Sequence, residues 1–589
     1  MIRRGLVPLA VAGLTAAVFL PTLSGSFLNW DDNVNFLDNP AYRGLGREHI
    51  RWAFTSVSFG HYIPLTRLTW SFNWALGGMD PRGYHLVNVL LHAANAVLFY
   101  FVARRLLAAA SADGAQTGRG PDLCAAAAVA ALVFGVHPLR VEPVAWITGR
   151  ADVLCASFAL VTTWVYLRAV EAEGPARRGL ILVTAVTLAA ALLSKGAALP
   201  FVGALLLLDV YPLRRLRRLG GWPLVREKVP LLLVTLAGAG GVIYAVRHGA
   251  VLTQISEHGG LARLTAAAYS FLIAPFRAIW PVSLSPLYEM PARISPLEPR
   301  FALALAGVVL VTTVLIGLRA RWPGGLAAWT FSVLMLAPTS AVVRQGADLA
   351  PDRYSYLSGM GFAVLVGGAA LGVIRLVRRG TVTRSMGWSA ALAALIALVG
   401  LGITSWSYSQ VWGESETLWR WAVELDPDCS VCHGKLGESA LGGPGGQTRA
   451  AEAEGLFRRA IALRPDLPEA YYNLGTALVL QGRYAEAESP LRRYMERAPW
   501  AASGPERLGL VYLLERRYEA AVPLLRSAFV RKPNAPDLRR YLVQALEGQA
   551  QALQAQGRGG EADTLLAEMR AVSAVSPESA PESRRSPRP

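Results

Sequence analysis

Charge is scarce in this 589-residue chain. Only 17% of its residues are Asp, Glu, Lys or Arg, against about 25% in an ordinary soluble protein. Acid is scarcer than base, with 41 acidic and 58 basic side chains and a formal net charge of +17. Cysteine occurs four times, at Cys124 and Cys155 in apolar stretches and at Cys429 and Cys432 beyond them. This scarcity of charge excludes an ordinary soluble protein over most of the length. What takes its place is 53% apolar residues. They gather in several runs long enough to cross a bilayer, which takes about 20 residues.

The basic excess does not indicate nucleic acid, because its distribution decides the matter. Arginines fall in bursts at alternate loops: Arg3 and Arg4, Arg104 and Arg105, Arg168 with Arg177 and Arg178, "RRLRRL" at 214–219, Arg319 and Arg321, then Arg375, Arg378, Arg379 and Arg384. This is the positive-inside pattern. Eleven spans are expected, near 5–23, 84–106, 122–136, 152–170, 179–193, 197–212, 229–247, 301–319, 325–340, 355–375 and 388–406. With the N-terminus in the cytoplasm, every burst lies there. The first span is read as an uncleaved helix. The outer loops are then Ser24–Gly83, rich in aromatics, "VHPLRVEPVAWITGRAD" (136–152), "LLSKG" (192–196), a long one over 248–300 and "VVRQGADLAPDRYSYL" (342–357). Within the long loop, 263–280 reads as an interfacial helix.

After about residue 410 the apolar runs stop and Glu, Arg, Leu and Ala mix at helical spacing. The unit "PEAYYNLGTALVLQGRYAEAESPLRRYMERAP" (468–499) recurs 34 residues on, where Leu508, Gly509, Ala521, Leu525 and Pro533 match Leu474, Gly475, Ala487, Leu491 and Pro499. Leu436, Gly437, Ala453, Phe457 and Pro465 make a preceding unit, and "ETLWRWAVELDP" (416–427) resembles the second helix of one earlier still. This is the tetratricopeptide pattern, a stack of helix pairs whose concave face usually binds protein. The chain is therefore expected to be all-α. A polytopic membrane helix bundle over 1–410 precedes extracytoplasmic repeats over 411–570 and a disordered tail, 571–589.

Several polar residues stand out against this background. In "FLNWDDN" (27–33), Asp31 and Asp32 sit side by side just beyond the first span. They are either solvated turn residues or do chemistry at a membrane surface. Arg150, Lys195 and Arg353 lie by outer membrane boundaries, against the positive-inside trend. Such cations suit phosphate; the alternatives are snorkelling to headgroups or pairing with Asp152 and Asp352. Arg67 is a further candidate cation, and His61, His137 and Glu142 are candidates for orienting a substrate. "CSVCH" (429–433) has the C-x-x-C-H spacing of haem attachment. It lies at the start of a repeat helix, and a disulfide or ordinary helix residues are the other readings; no haem is expected.

The ordered set "NWDDNVNFLDNPAYRGL", "YIPLTRLTWSFNWALGGMDPRGYHLVNVLLHAANAVLFY", "VHPLRVEPVAWITGRADVLCASFAL", "LLSKGAALPFVGALLLLD" and "DRYSYLSGMGF" resembles the transmembrane and tetratricopeptide-repeat O-mannosyltransferase family, within the GT-C class of glycosyltransferases. One departure is Ile63, where the family usually has arginine in its "YRPLT" stretch. The resemblance implies a membrane enzyme that takes a sugar, mannose by analogy, from a polyprenyl-phosphate donor to Ser or Thr hydroxyls of an outer-face polypeptide held by the repeats. It implies Asp31 and Asp32 as the catalytic acids, one as base with the second supporting it or binding a divalent Mg or Mn ion with it. Arg150, Lys195 and Arg353 would hold the donor phosphate. The implied location is a bacterial inner or plasma membrane. The rival readings are a GT-C enzyme acting on a lipid or glycan, and a non-catalytic membrane scaffold whose repeats bind protein partners.

Overall fold

Proline opens many of the helices. Pro81, Pro121, Pro299, Pro323, Pro468 and Pro536 each stand at a first helical position, where the missing N–H has no intrahelical partner to lose. The computed structural model describes residues 2–58, 60–111, 120–248, 259–340, 348–443 and 445–574. Most of the tail expected over 571–589 lies outside them. Among the described residues the named elements are all helical. The chain divides into two compact units, Met1–Trp421 and Ala422–Pro589, somewhat later than the 410 read from composition.

In the first unit each of the eleven apolar stretches carries a helix. Among the described residues seven of these helices are long and apolar enough to cross a membrane. A bent pair, Pro121–Gly135 and Pro138–Ala145, whose axes turn through 59°, is apolar enough to make a broken span or a re-entrant loop. The break follows from Pro138, which supplies no N–H to continue the ladder. The carbonyls freed there are met by one stripe of Pro81–Ala110. His92 Nε2 lies 2.9 Å from the Gly135 carbonyl, and Asn88 Nδ2 donates to the Val144 and Trp146 carbonyls at 3.2 and 3.1 Å. Asn95 Nδ2 donates to Val153 O, one turn into Arg150–Glu171, at 2.9 Å. Ser405 caps the remaining Val136 carbonyl at 2.7 Å. In hydrocarbon an unpaired carbonyl costs several kcal/mol, so this polar seam is what lets a broken helix persist inside the bundle. By contrast, Arg384–Val411 keeps Leu392, Ile396, Val399 and Ile403 exposed, the composition of a helix bathed in lipid.

The helix Gly260–Ile279 occupies the stretch expected to lie at the interface. Its Leu261, Leu264, Phe276 and Ile279 are exposed, while Thr265, Ser270 and Arg277 turn inward.

The second unit is a row of helix pairs: Ser430–Gly442 with Ala450–Leu463, Pro468–Leu480 with Tyr484–Arg497, Ser503–Leu514 with Tyr518–Arg531, and Pro536–Ala555 with Gly559–Ala574. The last pair extends the repeats beyond the sequence matches. The small residues of the pattern have a steric cause. A Cβ on Gly437, Gly475 or Gly509 would lie 2.6 to 2.7 Å from Phe457, Leu491 and Leu525 of the partner helix. Ser415–Leu425 behaves differently from the repeat helix expected there. The unit boundary falls within it, and its Trp419 indole donates to Asn29 Oδ1 at 2.6 Å in the first loop.

Candidate functional site

The two adjacent acids of "NWDDN" have different surroundings. Asp32 is fully buried. Its Oδ2 accepts the Leu28 N–H at 3.0 Å, and its Oδ1 accepts the Thr148 hydroxyl at 2.6 Å and the Thr148 N–H at 3.2 Å. Burial pushes its carboxyl up to about 7, against the pull of these donors and with a smaller push from the charge of Asp31. Asp31 is partly exposed. Its carbonyl accepts the Asn35 N–H at 3.0 Å, leading into a single π turn, Asn33–Leu37, that buries Phe36. Trp30 packs on Trp419 with ring centroids 4.9 Å apart. One acid thus anchors the loop and its neighbour remains at the surface.

The anchor, Thr148, ends a short segment that also carries Glu142 and Trp146. Glu142 accepts the Arg353 N–H at 2.7 Å and pairs with the Arg353 guanidinium. That guanidinium lies 5.5 Å from the Trp146 ring, 5.2 Å from the Tyr354 ring and 3.5 Å from Asp348. Lys195 Nζ donates to both oxygens of Asp152 at 2.6 Å and sits 5.7 Å from the Tyr354 ring centre. Lys195 and Arg353 therefore converge on one tyrosine. Beside them Asp352 takes Arg277 at 3.0 Å and the Tyr288 hydroxyl at 3.2 Å. Burial raises both Asp348 and Asp352 to about 7, with Arg353 and Arg277 respectively opposing the rise.

Arg150 is not part of this convergence. Its guanidinium is wholly buried and donates to Asn88 Oδ1, Asn73 Oδ1 and the carbonyls of Thr69 and Tyr84. With its donors spent on neutral acceptors it fastens Pro64–Gly77 to Pro81–Ala110, and its geometry does not fit a phosphate clamp. Arg67 likewise turns to the Ser56 and Ser58 hydroxyls, beneath Trp52. His61 lies in the turn paired with Ser58. His137 caps the next turn by accepting the Leu139 N–H at 3.1 Å, with Nε2 3.0 Å from Ala278 O. Glu142 orients Arg353. Both oxygens of Asp32 already accept protein donors, and among the described residues no three His, Cys, Asp or Glu stand close enough to hold a metal ion.

Cys429 and Cys432 are joined in a disulfide, and His433 Nε2 lies 3.0 Å from Pro427 O.

Sequence reasoning missed Asp348, Arg277 and Tyr288 as members of the cluster. One signal was available, two acids four residues apart in "DLAPD" against the expected boundary of a span. The partners of Asp352 come from the interfacial helix and the loop after it, which carry no such mark.

Comparison with known proteins gives three results. Residues 446–501 match the tetratricopeptide repeat family. The chain is similar to curated proteins named protein O-mannosyl-transferase. It is 39% identical to Tmtc3 of Drosophila melanogaster over 20% of this chain and 13% of that one, and 32% identical to TMTC2 of Mus musculus over 36% and 24%. Those matches span less than a quarter of each relative's own length. Among solved structures, ArnT from Cupriavidus metallidurans bound to undecaprenyl phosphate aligns over 83% of this chain and 79% of that one, at 17% identity and a TM-score of 0.37.

Proposed function

We propose that this chain is an inverting membrane glycosyltransferase. It would move a sugar from a polyprenyl-phosphate carrier to a Ser or Thr hydroxyl of a polypeptide on the side where the repeats lie. Mannose is the sugar suggested by the names of its relatives. The observation that carries the reading is the segment from Glu142 to Thr148. One end fastens the loop bearing Asp31, and the other packs against Arg353.

Chemistry follows from that juxtaposition. A hydroxyl attacks poorly until a base takes its proton, and partly exposed Asp31 is the base. The freed oxygen forms a bond to the anomeric carbon as the bond from that carbon to the phosphate oxygen breaks. One displacement inverts the centre. The leaving polyprenyl phosphate carries away the electron pair as negative charge, which Arg353 and Lys195 meet across Tyr354. Asp152 and Glu142 hold those cations in place beforehand, so little reorganisation is needed when the charge appears. The repeats hold the acceptor, and the chain sits in a bacterial inner or plasma membrane.

The test is mass spectrometry of outer-face proteins from cells with the chain, without it, and with Asp31→Asn. A hexose lost in the second and third samples supports the reading. A hexose unchanged in all three refutes it and favours a scaffold in which the repeats alone work.

A further inference from the structure

Between the helices on the arginine-rich side lies a cavity of about 610 Å³, within the size range of small-molecule sites. Its wall is apolar, from Phe201, Leu205, Phe331, Leu357 and Val364, and its lining includes the charged side chains of Arg214 and Arg321. Both are exposed, and among the described residues neither makes an ion pair. A chain-binding cavity with two unneutralised cations is complementary to a lipid with an anionic head.

The corner that carries Arg214 is built rigidly. Arg214 has a left-handed backbone, φ 52°, which a non-glycine residue keeps only where its surroundings impose it. The neighbouring Arg215 is pinned by Asp209 and Glu227, each at 2.7 Å, and Lys228 holds Asp209 at 2.8 Å from behind. Tyr211 packs toward Gly324, where an added Cβ would stand 3.5 Å from its hydroxyl. The ion pairs fix the corner beside Arg214, and Tyr211 brings it near the start of the helix that follows Arg321. Trp222 and Trp322 flank the two arginine-bearing loops, both largely exposed, as aromatic side chains are at the level of lipid headgroups.

We propose that this cavity holds an anionic phospholipid of the leaflet on the arginine-rich side, its acyl chains inside and its phosphate between Arg214 and Arg321. Basic pockets between spans on that side take such headgroups. The donor carrier is a poorer fit. Its phosphate belongs beside Arg353, toward the other face of a hydrocarbon layer about 30 Å thick. The inference needs the spans and their orientation, and its choice of phospholipid over donor carrier rests on the donor phosphate lying beside Arg353 as proposed above.

The test is native mass spectrometry of the full chain in detergent, titrated separately with dioleoyl phosphatidylglycerol, dioleoyl phosphatidylcholine and undecaprenyl phosphate. Phosphatidylglycerol binds most tightly. Removing one arginine weakens it about fivefold, and Arg214→Gln with Arg321→Gln about 30-fold. Ala327→Trp, which fills the cavity and leaves both cations, also abolishes the preference. Equal binding of the two phospholipids, tighter binding of undecaprenyl phosphate, or full affinity in the double variant overturns the proposal. An outer-face hexose unchanged in cells without the chain, with lipid binding intact, would sink the enzyme reading alone.

Discussion

Asp32 accepts both the hydroxyl and the N–H of Thr148, a residue 116 positions away. The loop that follows the first helix is thereby fixed to the segment leading into Arg150–Glu171. Its neighbour Asp31 is left partly exposed, so two identical side chains in sequence differ in what they can do.

Asp31→Asn should lower turnover by about 10²–10⁴ while donor affinity stays within twofold. Asp32→Asn acts through the loop instead. Its loss and that of Thr148→Val should be non-additive, with a coupling of about 0.5–3 kcal/mol in a double-mutant cycle on thermal stability. Strict additivity would mean that the anchor carries no energy.

Lys195→Met should destabilise the membrane unit by about 3–5 kcal/mol, because Asp152 is left buried without its partner. Lys195→Met with Asp152→Leu should regain most of that stability and still bind donor poorly. A double variant that recovers donor binding would remove Lys195 from the phosphate site. Arg353→Ala should weaken donor binding as well.

Asp348 and Asp352 lie at about 7 in the folded chain and near 4 when unfolded. Between these values the folded state binds protons that the unfolded state does not, so their contribution makes stability fall as pH rises from about 4 to about 7. Asp348→Asn with Asp352→Asn should flatten that slope in melting curves taken at pH 5 and pH 7.5. An unchanged slope would mean that both are already ionised at pH 5.

Gly482 and Arg516 occupy equivalent turns in successive repeats, with φ of 73° and 60°. A side chain in the left-handed region costs about 1–2 kcal/mol. Arg516→Gly should therefore raise the melting temperature of the chain, by an increment of up to ~1 kcal/mol after the entropy that glycine loses.

The sequence was most legible where one periodicity ran undisturbed. All eleven apolar stretches carry helices, and Leu474, Ala487 and Leu491 with their counterparts Leu508, Ala521 and Leu525 form a buried core. It was least legible where contacts cross long distances. Glu142 meets Arg353 over 211 residues and Asp352 meets Arg277 over 75. No local spacing encodes such pairs. The isolation of Arg150 was hidden for the same reason, since its acceptors are amides and carbonyls drawn from two other helices. The break at Pro138 was half-visible. Proline announces a stop, but Asn88, His92 and Asn95 read as ordinary interruptions of an apolar helix until their partners are known.

The seam formed by those three residues also bears on how the chain is made. Synthesis runs from the N-terminus, so Asn88 and His92 are already in the membrane when Gly135 and Val144 arrive, and the break finds its donors waiting. The Val136 carbonyl must wait for Ser405, and the Tyr356 hydroxyl that joins His92 at 2.6 Å also comes late. Until both have left the ribosome the bundle is held from one side only. A nascent chain stalled before Tyr356 would offer quality-control proteases a half-closed helix break, and one stalled after Ser405 would not.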